Sequence, residues 1–400
     1  MKMLHDESGQ TLILAALSMA LLLGFVALAV DVGLLFHARR VMQTAADSGA
    51  IAGAEEVNYG DVTAAAQADA ARNGVTNGTK GATVTVNRPP LSGPHAGSSS
   101  YVEVIVSQSQ STYFMNVFGR SAVTVSARAV GTMYPNQNCV YALNPSGTDV
   151  TVSGGAVVQI PGCGLIDDSS SSTALTVSGT GSTLSASTIG IVGGYSGSGQ
   201  MTPTPVTGIA TVSDPLAFMQ PPSFSTSSCL ADPNLSGAGK TFTLGSSGTT
   251  VCYNGLTIAG GASVIFNSGV YIINGAFSIS GGSTATGAGV TFYLPSGASV
   301  SISGGGTLNL TAPTSGTYDG FLFYEDRSNT NAATIAGGAG STLQGILYFP
   351  KAGLTLTGGS SSQVYASVIA GSLTFTGGST LNNYAIVNPS TPLTSARLVE

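Results

Sequence analysis

The chain has 400 residues, 8% of them charged and 42% hydrophobic, and a formal net charge of −6. It is too apolar for disorder, which needs low hydrophobicity and high charge, and an acidic chain with no clustered basic face does not suit a nucleic-acid partner. The 55 glycines argue against a helical protein, since glycine costs about 1 kcal/mol relative to alanine inside a helix, and they lack the three-residue period of collagen. What remains is mainly β structure with many tight turns. Three histidines and scattered acids give no metal-centred pattern.

Residues 12–30 form an apolar run interrupted only by Ser18 and Gly24. A membrane-spanning helix needs about 20 apolar residues, and extension through residues 33–36 makes the segment long enough, with Asp31 near its far boundary. The rival is a cleavable signal peptide, with Ala27-Leu28-Ala29 as the processing site and Lys2 as a thin positive region. The run exceeds the 7–15 residues of a typical signal-peptide core, which favours an anchor; either way the rest of the chain is exported. Lys2 on one side and Arg39 and Arg40 on the other give charge no clean vote on orientation.

Residues 37–57 continue as a helix rich in alanine, serine and glycine, the pattern of a helix that covers a sheet at close range. Asp61 is placed to cap a second helix running to Ala71 and stopped by Asn73-Gly74. Alternating segments at 82–86, 101–106 and 122–130 read as strands. The loop 89–100 separates the first two, and a short amphipathic helix over 112–118, ended by Gly119, precedes the third. A small sheet with a helix packed on it is expected.

Two stretches carry a family resemblance. The segment GQTLILAALSMALLLGFVALAVDVGLLFHARRVMQTAADSGAIAGA resembles the N-terminal part of Tad (tight-adherence, Flp) pilus-assembly proteins of the TadG-like kind. YFMNVFGRSAVTVSARAVG is similar to the strand region that ends their membrane-proximal module. GFVALAVDVG and AADSGAIAGA are the most specific parts. The resemblance implies an inner-membrane anchor, an exported C-terminus, Tad assembly components as partners and a role in adherence-pilus biogenesis. Prepilins carry a glutamate five residues after the glycine at their cleavage site, whereas Gly9 is followed at that distance by Leu14. The von Willebrand A-type domain of many longer family members is not evident.

From Cys139 onward the sequence repeats. A short alternating strand leads into paired glycines ending at Gly155, Gly261, Gly282, Gly305, Gly338, Gly359 and Gly378. Each strand points alternate apolar side chains one way, and paired glycines turn a corner at positive φ. One turn of about 20 residues cannot bury its own apolar face, but stacked turns share a core. The fold class expected is therefore mainly β, an N-terminal transmembrane helix and small α+β module followed by a parallel β-helix. A sandwich of hairpins is the rival. The boundaries expected are 1–36 for the stub and anchor, 37–134 for the stalk and module, 135–390 for the solenoid and 391–400 for a tail.

The cysteines fit stacked turns. Cys139 and Cys163, and likewise Cys229 and Cys252, are one repeat apart in sequence, which would put each pair on adjacent rungs about 4.8 Å apart, within disulfide reach. Four cysteines allow three connectivities; the sequential pairs are expected. Disulfides imply an oxidising compartment such as the periplasm or cell surface.

Two clusters invite chemistry. Asp167, Ser169 and Ser171 match the D-x-S-x-S core of a metal-ion-dependent adhesion site, but lack the strand–helix alternation such a domain needs and read as a polar turn. Tyr318, Asp319, Glu325, Asp326 and Arg327 gather charge in one long insert, where β-helix lyases and hydrolases place catalytic carboxylates. With no second row of acids, the insert reads as a solvated loop or a site of contact with a partner or glycan. The histidines all precede the repeats, so serine and cysteine nucleophiles lack a base. No enzyme activity, cofactor or nucleic-acid partner is expected. A membrane-anchored accessory of pilus assembly or adherence is, with a signal-anchored carbohydrate-active or glycan-binding β-helix protein as the alternative.

Overall fold

The computed structural model describes residues 8–57, 60–135, 138–338, 340–358, 363–378, 380–383 and 394–400. They divide into two compact units, residues 1–134 with 395–400, and residues 135–394.

In the first unit, helix α1 (Ser8–Glu55) runs unbroken through the apolar run and the small-residue stretch beyond it. Its first half is exposed on all sides, as a segment meant for lipid would be, and it is long and apolar enough to cross a membrane. Its second half packs on an antiparallel sheet of β1 (Thr83–Asn87), β2 (Tyr101–Ser111) and β3 (Ala122–Pro135). The register pairs Val84 with Val106 and Val104 with Ala129, and these side chains meet Ala45, Ala46 and Ala50 in one buried cluster. The helix needs small residues because it lies against backbone: a Cβ on Gly131 of β3 would stand 2.3 Å from the Ala50 carbonyl oxygen. Helix α2 (Val62–Arg72) adds Ala66 and Ala70 to this core, and the Asp61 carboxylate caps it by accepting from the N–H groups of Thr63 and Ala64.

Two expectations for this unit change. Residues 112–118 do not pack a helix on the sheet; they form the tip of the β2–β3 hairpin, with a single 3-10 turn at Met115–Phe118 whose side chains are not buried. The segment is too short to sustain α-helical hydrogen bonding. The segment expected as a C-terminal tail contributes a fourth strand, Thr394–Leu398, beside β3.

The second unit is a parallel β-solenoid of about 10 turns. Its stacking order differs from its chain order. The chain enters with Asn138–Ala142, Val150–Val152 and Val157–Ile160, and two further turns stack on these through Gln200–Thr202. After Val206–Thr207, residues 208–229 leave the coil, and the next rung, beginning at Leu235–Ser236, lies at its opposite end. Successive turns then climb back until Gln363–Thr376 pairs in parallel with the entry rung, Ile369 against Tyr141 and Leu373 against Val150. The first rung in sequence is thus internal to the stack.

Inside the coil, Val, Ile, Leu and Phe form one continuous core, with Phe292 and Phe323 stacked from one turn to the next at a centroid spacing of 5.3 Å and Phe277 meeting Phe292 within its own turn at 5.0 Å. The paired glycines are its corners. Gly281 and Gly282 have φ of +63° and +70°, and a Cβ on Gly281 would meet the Gly260 backbone nitrogen of the neighbouring rung at 3.0 Å. Gly338 differs: its φ is not positive, and what excludes a side chain there is the Gly305 carbonyl oxygen, 2.4 Å from where a Cβ would stand. Gly359 lies outside the described residues.

Candidate functional site

Parallel stacking aligns side chains into columns, and one outward column carries most of the solenoid's polar chemistry. Successive registers bring Ile272, Tyr293, Tyr324, Tyr348, Ile369, Tyr141 and Ile166 into line. Residues 208–229, the segment that left the coil, run back along this column. Proline at 215, 221 and 222 removes the N–H donors a strand would need, so the segment is held mainly through side chains. The Tyr348 hydroxyl donates to Asp214 Oδ2 at 2.6 Å, and the Tyr324 hydroxyl donates to the Met219 carbonyl at 3.0 Å. Arg327 donates to the Leu216 and Met219 carbonyls and, through Nε, to the Tyr348 hydroxyl. Leu216 and Met219 are buried with the tyrosines. The strap ends at Cys229, bonded to Cys252 at the start of the same column.

In the charged insert, expected as a contact loop, the side chains of Asp326 and Arg327 are bonded within the solenoid, while Asp319 Oδ1 and Glu325 Oε2 are buried without a hydrogen-bond partner. Arg327 holds the strap. Asp326 accepts from the Tyr293 hydroxyl at 2.8 Å and from the Ser328 N–H and hydroxyl. Glu325 is 1% exposed, and burial, reinforced by the Asp326 charge, raises its pKa to about 9, so it is neutral at pH 7. Burial also raises Asp319. Glu325, protonated and enclosed, has no charge to offer a partner, and Arg327 fastens the strap.

Asp167, Ser169 and Ser171 stand close together, as their spacing suggested, but in the hydrogen bonds of a turn. Asp167 accepts from the Ser169 N–H at 3.0 Å, Ser169 Oγ donates to the Gly147 carbonyl at 2.6 Å, and Ser169 Oγ accepts from the Ser171 N–H at 3.2 Å. Beside them Asp149 is raised to about 7 by burial and the Asp167 charge, and Asp167 to about 6, chiefly by burial. Among the described residues no group of three His, Cys, Asp or Glu is placed to hold a metal. The four cysteines form the two sequential pairs, with Cα separations of 5.8 Å for Cys139–Cys163 and 4.5 Å for Cys229–Cys252.

In the first unit the chemistry sits at two carboxylates. Glu103 on β2 is fully buried, and although burial opposes its ionisation, hydrogen bonds from Arg128, Asn87, Ser92 and the Leu91 N–H hold its pKa down at about 2. Arg128 also pairs with Glu400 beside the C-terminal strand. The other is Asp31, a lone acid in the apolar part of α1. Its carboxylate accepts from the consecutive N–H groups of Tyr113, Phe114 and Met115 at 3.0, 2.9 and 2.6 Å, fastening the hairpin tip to the helix. Below it, Leu21, Phe25 and Leu28 of the helix line a groove with Phe114, Val117 and Phe118 of the tip.

Sequence reasoning did not find the strap or the partner of Asp31. Each left a signal: the prolines lie where the glycine pairs lapse, and an acid interrupts an otherwise apolar helix.

Residues 9–58 match the family model described as Tad, putative Flp pilus-assembly TadE/G-like. The match spans the apolar half of α1 and the small-residue half that packs on the sheet, and ends before the solenoid. No curated protein and no solved structure matches the chain significantly.

Proposed function

We propose that this protein is a membrane-anchored, non-enzymatic accessory of Tad/Flp pilus assembly or surface adherence, acting by protein–protein contact through an exported solenoid. The observation that carries this reading is the family match over residues 9–58, because those residues form both the membrane-type helix and the face that organises the module around it. The anchor belongs in the bacterial inner membrane. Two cysteine pairs at bonding distance support a solenoid in the periplasm or at the cell surface, since disulfides persist in oxidising compartments. Asp31 supports retention of the helix: cleavage after Ala29 would make it the second residue of the new chain and strip the hairpin tip of its groove.

The test is deletion of the gene with imaging of pili and an adherence assay, alongside incubation of the purified full-length protein with polysaccharides. Loss of pili or adherence, restored by the intact gene, is expected. Normal pili and adherence in the deletion strain would overturn the assignment, and polysaccharide turnover by the purified protein would replace it with a carbohydrate-active one.

A further inference from the structure

The geometry points to the β2–β3 hairpin tip, residues 112–120, being a wedge seated in the lipid leaflet on the C-terminal side of the membrane-spanning helix. Its occupant is lipid: acyl chains around Phe114, Val117 and Phe118, and the interface around Tyr113. Val117 and Phe118 are 82% and 86% exposed, adjacent to each other on the tip beside the half-exposed Phe114. They are continuous with the exposed apolar surface of α1, through the groove that reaches Leu21. Leu21 is ten residues before Asp31, a drop of about 15 Å at 1.5 Å per residue. A hydrocarbon core is about 30 Å thick, so a helix that crosses it carries the tip well into one leaflet.

The backbone at the tip is suited to that depth. Irregular backbone in a membrane is tolerated only where its polar groups are satisfied. Asp31 takes three consecutive N–H groups, the Thr112 N–H donates to the Ser121 carbonyl, and those of Gly119 and Arg120 donate to Asn116 and Met115. A buried acid in an apolar helix, costly by itself, thereby has its reason. Arg120 sits at the base of the tip, its carbonyl accepting the Thr112 hydroxyl, where a long side chain reaches headgroup phosphate by snorkelling.

The inference rests on the helix being a retained membrane span, and the test separates the two. The chain contains no tryptophan, so single substitutions report one position each. Full-length Phe118→Trp, Leu17→Trp and Leu91→Trp are reconstituted in nanodiscs of phosphatidylethanolamine and phosphatidylglycerol, with and without brominated acyl chains. Leu17 reports the span, and Leu91, exposed on the module, reports water. Phe118→Trp is expected to follow Leu17→Trp, with blue-shifted emission, at least twofold quenching by brominated lipid and little by iodide. Adding Asp31→Asn should lower that lipid quenching. If Leu17→Trp is quenched by lipid but Phe118→Trp by iodide, the wedge is overturned. Quenching of Phe118→Trp by neither overturns it too, and assigns the tip to a protein contact. Failure of Leu17→Trp to meet lipid removes the anchor reading and the wedge with it.

Discussion

The two units handle buried carboxyl groups in opposite ways. In the membrane-proximal module, Glu103 is buried as an anion, held at a pKa of about 2 by hydrogen bonds that include Arg128. In the solenoid, Glu325, Asp149 and Asp167 are enclosed without a cation, and burial raises them to about 9, 7 and 6. The difference follows from architecture. An antiparallel sheet with a helix on one face leaves strand ends and loops free to bring an arginine to a carboxylate. A parallel coil repeats the same positions rung after rung, so a polar side chain in a buried column faces the backbone and side chains of its neighbours, and at Glu325 no cation comes with them.

The largest effect that sharpens the contrast is expected from Arg128→Ala. It leaves the Glu103 carboxylate buried and unpaired, which costs about 3–5 kcal/mol. Thermal unfolding of the detergent-solubilised full chain, with protease-resistant fragments assigning each transition, should show the module destabilised and the solenoid unchanged. A loss under about 1 kcal/mol would mean that Glu103 is solvated.

The pH responses should have opposite signs. Glu103, depressed in the folded state, contributes stability that is present above its ordinary value of 4.5 and lost as pH falls towards 2. Glu325, raised when folded, contributes most below 4.5, and stability is lost as pH rises towards 9. The solenoid transition should therefore weaken between pH 5 and pH 8, where the contribution of Glu103 to the module is already complete. Glu325→Gln should remove much of the solenoid's dependence, with a gain on the order of a few kcal/mol at pH 8. Equal slopes for both units would break the comparison.

How far the sequence announced these features depends on whether the physics is local. The glycine-pair corners, the Asp61 cap and the strands at 82–86 and 101–106 depend on neighbours a few residues away, and they were legible. The adjacent-rung cysteines were legible too, because a period converts sequence distance into spatial distance. The strap was not. Its partners Tyr324 and Tyr348 lie more than 100 residues from Met219 and Asp214, and nothing periodic joins them. For the same reason Arg327 read as a solvated contact residue, when its donors face carbonyls that arrive from another part of the chain. Asp31 was visible only as a boundary of the apolar run, because its partners sit more than 80 residues away at a hairpin tip that resembled a short helix.

Smaller effects should follow the same division. Tyr348→Phe removes the hydroxyl shared by Asp214 and Arg327 and should cost about 1–2 kcal/mol, near the usual range for hydrogen bonds to charged groups. It should appear first as faster proteolysis within residues 208–229 under native conditions. Unchanged cleavage there would mean that the strap is held by Leu216 and Met219 alone. Asp61→Ala should cost about 1 kcal/mol, confined to the module's transition.

The central proposal is an exported coil fastened by two disulfides, Cys139–Cys163 between neighbouring rungs and Cys229–Cys252 between the end of the strap and the coil. Disulfide mapping by mass spectrometry, on non-reduced full-length protein taken from bacterial membranes, tests it most directly. The account requires Cys139 joined to Cys163 and Cys229 joined to Cys252. Free thiols at these positions would contradict export, and a bond between Cys139 and Cys229 or Cys252 would contradict the order of the rungs.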